Sequence, residues 1–159
     1  MARVLALCHG AVHLDTPSDA AVTAIAAKVR ARRRDIVTVD DRFDAAPDVV
    51  GNIAKAATWT ALQRRGPFRC VASMYCPLGR HAVSAGIAAN VARVLTRDGT
   101  FVAIVGAGVR VDAEGVWYRS RQWPVEGNPW KLYLPTPQGL VFDGFEHAAS
   151  LRVAVYRLK

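Results

Sequence analysis

Apolar positions fall in two rhythms along the chain, short continuous runs and stripes of helical period, and the two alternate. Residues 3–7 (Arg3-Val4-Leu5-Ala6-Leu7) form an apolar run that predicts a buried strand, and Cys8-His9-Gly10 predicts the loop that ends it. Thr16-Pro17-Ser18-Asp19 then announces a helix: Thr16 can cap the first amides, Pro17 suits the first helical position, and Asp19 stands three residues past the cap. Val22, Ile25, Ala26 and Val29 continue it as one stripe. Its end falls among Arg30, Arg32, Arg33 and Arg34, where cations favour the negative end of the helix dipole. Ile36-Val37-Thr38-Val39 is β-branched throughout and reads as a second strand, running into Asp40-Asp41.

The alternation continues. Residues 48–52 are a short strand candidate, and 53–65 a helix with Ile53, Ala57 and Leu62 on one side, broken by Gly66-Pro67. Residues 68–74 predict a fourth strand and 75–79 a loop. Residues 81–95 predict a helix with Val83, Ile87, Val91, Val94 and Leu95 on one face. Arg97-Asp98-Gly99 reads as a tight turn into the strand 101–105. From 109 to 143 there is no helical stripe, and tryptophans and prolines gather, which predicts loops and hairpin strands. Residues 151–158 predict a closing strand.

This order implies an α/β fold: a mostly parallel sheet with helices on both faces. One domain spans 1–159, with an α/β core over 1–108 and a hairpin and closing strand over 109–159. In such sheets ligands bind beyond the carboxyl ends of the strands, where strand order reverses. The candidate site is therefore Cys8, His9, Gly10, Asp40, Asp41, Asn52, the stretch from Ser73 through Tyr75 and Cys76 to Leu78, and Gly106 to Gly108.

Composition narrows the class. With 159 residues, 52% apolar, 21% charged and a mean hydropathy of +0.12, the chain can bury a core and does not have the polar, charge-rich composition of disorder. No apolar run approaches the ~18 residues of a membrane span, and the first residues carry no signal-peptide pattern. Three cysteines, an odd number, argue against a disulfide framework and for a reducing, cytoplasmic location, the nucleus included. Twenty-one Lys and Arg against thirteen Asp and Glu give +8, which favours an anionic partner or simply solubility.

Several stretches are similar to the class I S-adenosylmethionine-dependent methyltransferases. Val39-Asp40-Asp41 followed by Pro47-Asp48-Val49-Val50-Gly51-Asn52 resembles the acidic end of that family's second strand and its third strand. Phe68-Arg69-Cys70-Val71-Ala72-Ser73 resembles the fourth strand, and residues 92–102 resemble the helix end, turn and fifth strand. The resemblance implies the Rossmann-like fold, a doubly wound, mostly parallel seven-stranded sheet with helices on both faces and an antiparallel C-terminal strand. It implies methyl transfer from S-adenosylmethionine to an acceptor, nucleic acid among the candidates. It also implies cofactor contacts from Cys8, His9, Gly10, Asp40, Asp41, Asn52 and Ser73, and acceptor contacts from Tyr75 and Cys76. One departure stands out. Where the family has an acidic residue and a glycine-rich first motif, this chain reads Ala6-Leu7-Cys8-His9-Gly10-Ala11-Val12, with side chains at positions that glycine usually fills. The alternative is therefore a catalytically inactive member, a pseudoenzyme serving as a binding or scaffolding subunit with a partner subunit.

The residues themselves leave other readings open. Asp40 and Asp41 can accept ribose hydroxyls, or simply sit in a solvated turn. Cys76 as a nucleophile needs a neighbour that lowers its pKa, and His81 is the nearest candidate. Cys8, His9, His13, Cys76 and His81 lack close metal-ligand spacing, so no metal is expected. Arg30 to Arg34 read as a solvated helix end or a phosphate-binding patch. Between Trp117 and Tyr133, aromatics alternate with Arg119, Arg121 and Lys131. This suits stacking on nucleic acid, or a hairpin whose rings cover the sheet.

Overall fold

A computed structural model describes residues 2–13, 15–78, 80–119 and 129–159. Seven strands make one sheet in the order β3-β2-β1-β4-β5-β10-β9: β1 (Val4–Leu7), β2 (Ile36–Asp40), β3 (Val49–Val50), β4 (Phe68–Ser73), β5 (Leu95–Ile104), β9 (Leu140–Ala148) and β10 (Leu151–Leu158). β1 to β5 run parallel, and β10 enters antiparallel between β5 and β9. A second, antiparallel sheet holds β6 (Val109–Val111), β7 (Gly115–Arg119) and β8 (Trp130–Pro135). The stretch expected to be hairpins thus folds as a separate layer, while β9 and β10 rejoin the main sheet.

The period of two along the strands divides the core. Leu5, Leu7, Val37, Val39, Val71, Phe101 and Tyr156 face α2 (Ala56–Gln63) and α3 (His81–Val94), with Val116 and Leu134 of the small sheet completing that layer. Val4, Ala6, Cys70, Ala72, Val102 and Val155 face α1 (Pro17–Lys28), the one α-helix on that side among the described residues. The small sheet lies on the α3 side, where β8 packs against α3.

Thr16 caps α1 as its position suggests: its Oγ1 accepts the Asp19 amide at 3.1 Å. Several boundaries differ from expectation. α1 stops at Lys28, because the chain turns left-handed at Arg30 (φ +57°), and Arg33–Asp35 form a separate 3-10 turn. α2 starts at Ala56, since the Asn52 side chain accepts the Ala54 amide and holds 52–54 in a turn. β5 starts at Leu95, directly after α3: Leu95 pairs with Phe68 and Thr100 with Cys70, so Arg97-Asp98-Gly99 is a bulge inside the strand rather than a turn before it. α3 itself ends one residue early, at Val94.

Candidate functional site

Parallel strands that start at one edge finish at the other, and the finishing edge of β1 to β4 opens into a cleft of about 360 Å³. Cys8 after β1, Asp40 and Asp41 at the end of β2, Gly51 and Asn52 after β3, and Tyr75 and Pro77 after β4 line it, together with Arg42, Ile53, Arg80 and Val83. The volume falls in the usual range of small-molecule sites, roughly 300–1,000 Å³. It lies beside β1, where strand order reverses between β2 and β4.

Two polar groups in the cleft, Asp40 and Asn52, keep unused bonding capacity among the described residues. Asp40 accepts the Arg42 amide through Oδ1 at 2.8 Å, which leaves Oδ2 free. Its main-chain oxygen takes the Gly51 amide at 2.9 Å and ties the ends of β2 and β3 together. Asn52 Oδ1 takes the Ala54 amide at 2.8 Å, leaving a second lone pair and the whole amide nitrogen. Gly51 admits no side chain, because a Cβ there would meet Thr58 Oγ1 at 2.7 Å. Arg42 is engaged with Asp44, Nη2 to Oδ2 at 3.0 Å, and its hydrogen bonds and charge hold that carboxyl below the usual range. Arg80 precedes α3 and is in no ion pair among the described residues.

Cys8 and Cys76 form a disulfide, with Cα atoms 5.2 Å apart. This corrects two expectations. An odd cysteine count does not exclude a pair, and Cys76, buried and bonded to Cys8, has no thiolate with which to attack. Cys70 is the free cysteine, buried in β4, and burial pushes its thiol up to about 11. Cys8 adopts φ +56°, so the glycine-like backbone turn after β1 persists under a side chain. Tyr75, also left-handed at φ +52°, is 59% exposed beside the cleft.

His9, Gly10 and Ser73 are not among the lining residues. His9 is buried, with Nε2 3.2 Å from Asp19 Oδ1 and Nδ1 2.7 Å from the Gly10 oxygen. Burial works against the Asp19 carboxylate. The Thr16 hydroxyl, the Asp15 amide and His9 outweigh it and hold its pKa below the ordinary value. Gly10 lies against the turn at Ala45, whose oxygen receives the Ala11 amide at 2.9 Å; a Cβ on Gly10 would stand 2.1 Å from that oxygen. Ser73 is buried in β4, and its hydroxyl has no hydrogen bond among the described residues. Arg42, Ile53, Arg80 and Val83 line the cleft without having been anticipated. The sequence signal for Arg42 was its place beside Asp41; Arg80 and Val83 carried only the start of a helix.

The aromatic segment uses its rings internally. The Arg110 guanidinium lies 5.5 Å from the Trp117 ring and 4.9 Å from that of Trp130, and Trp117 Nε1 donates to Asp112 at 2.9 Å. Arg121 and Trp123 lie outside the described residues.

No protein-family model matches the chain, and neither does any curated protein. Among solved structures, the chain is similar to a TehB-like SAM-dependent methyltransferase from Corynebacterium glutamicum (16% identity, 99% of this chain and 80% of the other, TM-score 0.48). It is also similar to the antibiotic-resistance methyltransferase Kmr (14%, 99% and 88%, TM-score 0.43). A third likeness is to MycE, a methyltransferase of the mycinamycin biosynthetic pathway in complex with Mg and SAH (17%, TM-score 0.45). There the match takes in 65% of this chain but only 29% of MycE. By strand order and direction, with five parallel strands and an antiparallel strand slotted before the last, the chain has the class I methyltransferase fold.

Proposed function

We propose that the cleft binds S-adenosylmethionine or its homocysteine product and that the protein transfers the methyl group to an acceptor docked at Tyr75. The observation behind this reading is the pairing of a carboxylate with one free oxygen, Asp40, and an amide with a free NH₂, Asn52, at the mouth of a single cleft. A diol and an adenine edge need these two kinds of group: an acceptor for two hydroxyls, and a donor and acceptor side by side. Asp41 adds negative potential at the ribose end. Tyr75, exposed and aromatic, offers a planar face to a planar acceptor. Arg80 supplies a cation for a carboxylate. When bound, the cofactor supplies an electrophilic methyl on sulfur; the chain contributes position and orientation, which are worth much of such a barrier.

A second reading, a binding or scaffolding subunit without methyl transfer, is favoured by the Cys8–Cys76 disulfide, which puts sulfur beside the cleft where the family has glycine.

Calorimetry and thermal melting with S-adenosylhomocysteine test the proposal. A ligand at a hundredfold its Kd stabilises by about 2.7 kcal/mol. A rise in Tm in the intact protein that is lost in Asp40→Ala and weakened in Asn52→Ala is expected. No heat and no Tm change at millimolar ligand, in both oxidised and reduced protein, would remove the cofactor from the account.

A further inference from the structure

The edge of the sheet opposite the cleft carries a band of unpaired arginines, and we infer that it is a docking surface for the phosphate backbone of nucleic acid. The parallel topology builds it. Strands β1, β2, β4 and β5 all begin there, so whatever precedes each strand is brought to one side. Arg3 precedes β1, and Arg32 and Arg34 precede β2, whose Ile36 pairs with Val4. Arg64 and Arg65 end the α2 segment before β4, and Arg97 sits in the bulge of β5 between the partners of Phe68 and Cys70. Contacts tie these segments together: the Arg3 guanidinium donates to the Arg65 oxygen at 2.5 Å, and the Arg3 oxygen accepts the Arg69 amide at 2.8 Å.

All six arginines are exposed, and none is in an ion pair among the described residues. Nearby carboxylates are occupied elsewhere. Asp35 is buried on the Arg32 amide at 3.0 Å, and Asp98 pairs with Arg69 at 2.7 Å. Positive charge is therefore left uncompensated along this edge, in a protein of net charge +8.

The chemistry of the band selects the partner. Every cation in it is arginine, whose planar fork matches phosphate oxygens in pairs. From β2 to β5 the strands span about 14 Å at ~4.8 Å per step, enough to meet several phosphates at one per ~1.7 Å of duplex. An anionic membrane would want apolar anchors among the cations. The exposed large apolar side chains (Phe43, Val50, Tyr75, Leu132, Val141 and Phe145) all lie outside the segments that carry the six arginines. The band is also remote from the cleft, since five residues of extended chain from Arg3 to Cys8 cover about 17 Å. Nucleic acid held there is a tether rather than the group docked at Tyr75, so this inference stands whether or not the cleft takes S-adenosylmethionine.

Fluorescence anisotropy with labelled 20-base-pair DNA and RNA duplexes of mixed sequence, titrated with NaCl from 50 mM, decides it. Wild-type protein should bind both with little sequence preference and a steep negative slope of log K against log salt. The variant Arg32→Ala/Arg34→Ala/Arg64→Ala/Arg97→Ala should flatten that slope by up to about 3.6, at 0.9 per phosphate contact, with an unchanged melting curve. The variant Arg119→Ala/Lys131→Ala, on the small sheet, should bind as wild type does. The inference is overturned by any of four results: no binding at 50 mM salt, an unchanged slope in the fourfold variant, an equal loss in the small-sheet variant, or co-sedimentation with phosphatidylserine vesicles that the duplexes cannot compete away.

Discussion

Cys8 and Cys76 stand 68 residues apart in sequence and are bonded to each other, joining the turn that leaves β1 to the loop that leaves β4. Those two strands are neighbours whose C-terminal ends coincide, Leu7 opposite Ser73, and the Met74 amide donates to the Leu7 oxygen at 3.0 Å. The bond therefore fixes one wall of the cleft, with Tyr75 held beside it.

This pairing fixes a thiol count. Denatured without reductant, the protein should take up one alkylating group, on Cys70; after reduction it should take up three. Native protein should take up none, because the buried Cys70 thiol, pushed up to about 11, forms little thiolate at neutral pH. Mass spectrometry after iodoacetamide reads all three states. Closing a loop of this length is worth roughly 4 kcal/mol in the chain-entropy model, so Cys76→Ala should lower stability by about 2–4 kcal/mol in urea.

Gly10 should tolerate no side chain. Its missing Cβ would lie 2.1 Å from the Ala45 oxygen, a main-chain atom already bound by the Ala11 amide. Gly10→Ala is expected to cost about 1–3 kcal/mol in urea denaturation as the loop is pushed off the turn. A variant as stable as wild type would show that the two loops separate freely.

Asp19 ties acid stability to the first loop. Its pKa is lower folded than the ordinary unfolded value of about 3.9, so the stabilisation it brings is present above pH 4 and is lost as pH falls through the lower folded value. Urea midpoints for wild type and Asp19→Asn should differ at pH 7 and converge towards pH 3. A gap that stays constant with pH would mean that the carboxylate charge has no part in it.

Tyr156 is fully buried in β10, and its hydroxyl has no hydrogen bond among the described residues. Burial pushes its pKa up. Its ring packs on Phe101 and Phe142 at centroid distances of 5.9 and 5.7 Å. Tyr156→Phe keeps those contacts and removes the stranded hydroxyl, so it should hold or raise stability, by up to about 1 kcal/mol. A loss of more than that would reveal a partner for the oxygen.

Local rules carried the element order: β-branched runs became strands, helical stripes became helices, and Thr16 capped α1. They failed where distant contacts compete. Arg97-Asp98-Gly99 has the composition of a turn, yet pairing of Leu95 with Phe68 draws it into β5. The lining of the cleft was legible to the same degree. Cys8, Asp40, Asp41, Asn52 and Tyr75 follow from their places after strands, because any residue at the finishing edge of a parallel sheet meets its neighbours there. His9, also after a strand, turns away to Asp19.

Sequence by itself determined the alternation of strands and helices, the excess of positive charge and the carboxylates that end β2, since these depend on residues close together in the chain. Tertiary structure alone decided that Cys8 meets Cys76, that His9 belongs to Asp19 rather than to the cleft, and that arginines from four separate segments share one edge. Each of these depends on which strands lie side by side, and strand order is set by how the whole core packs.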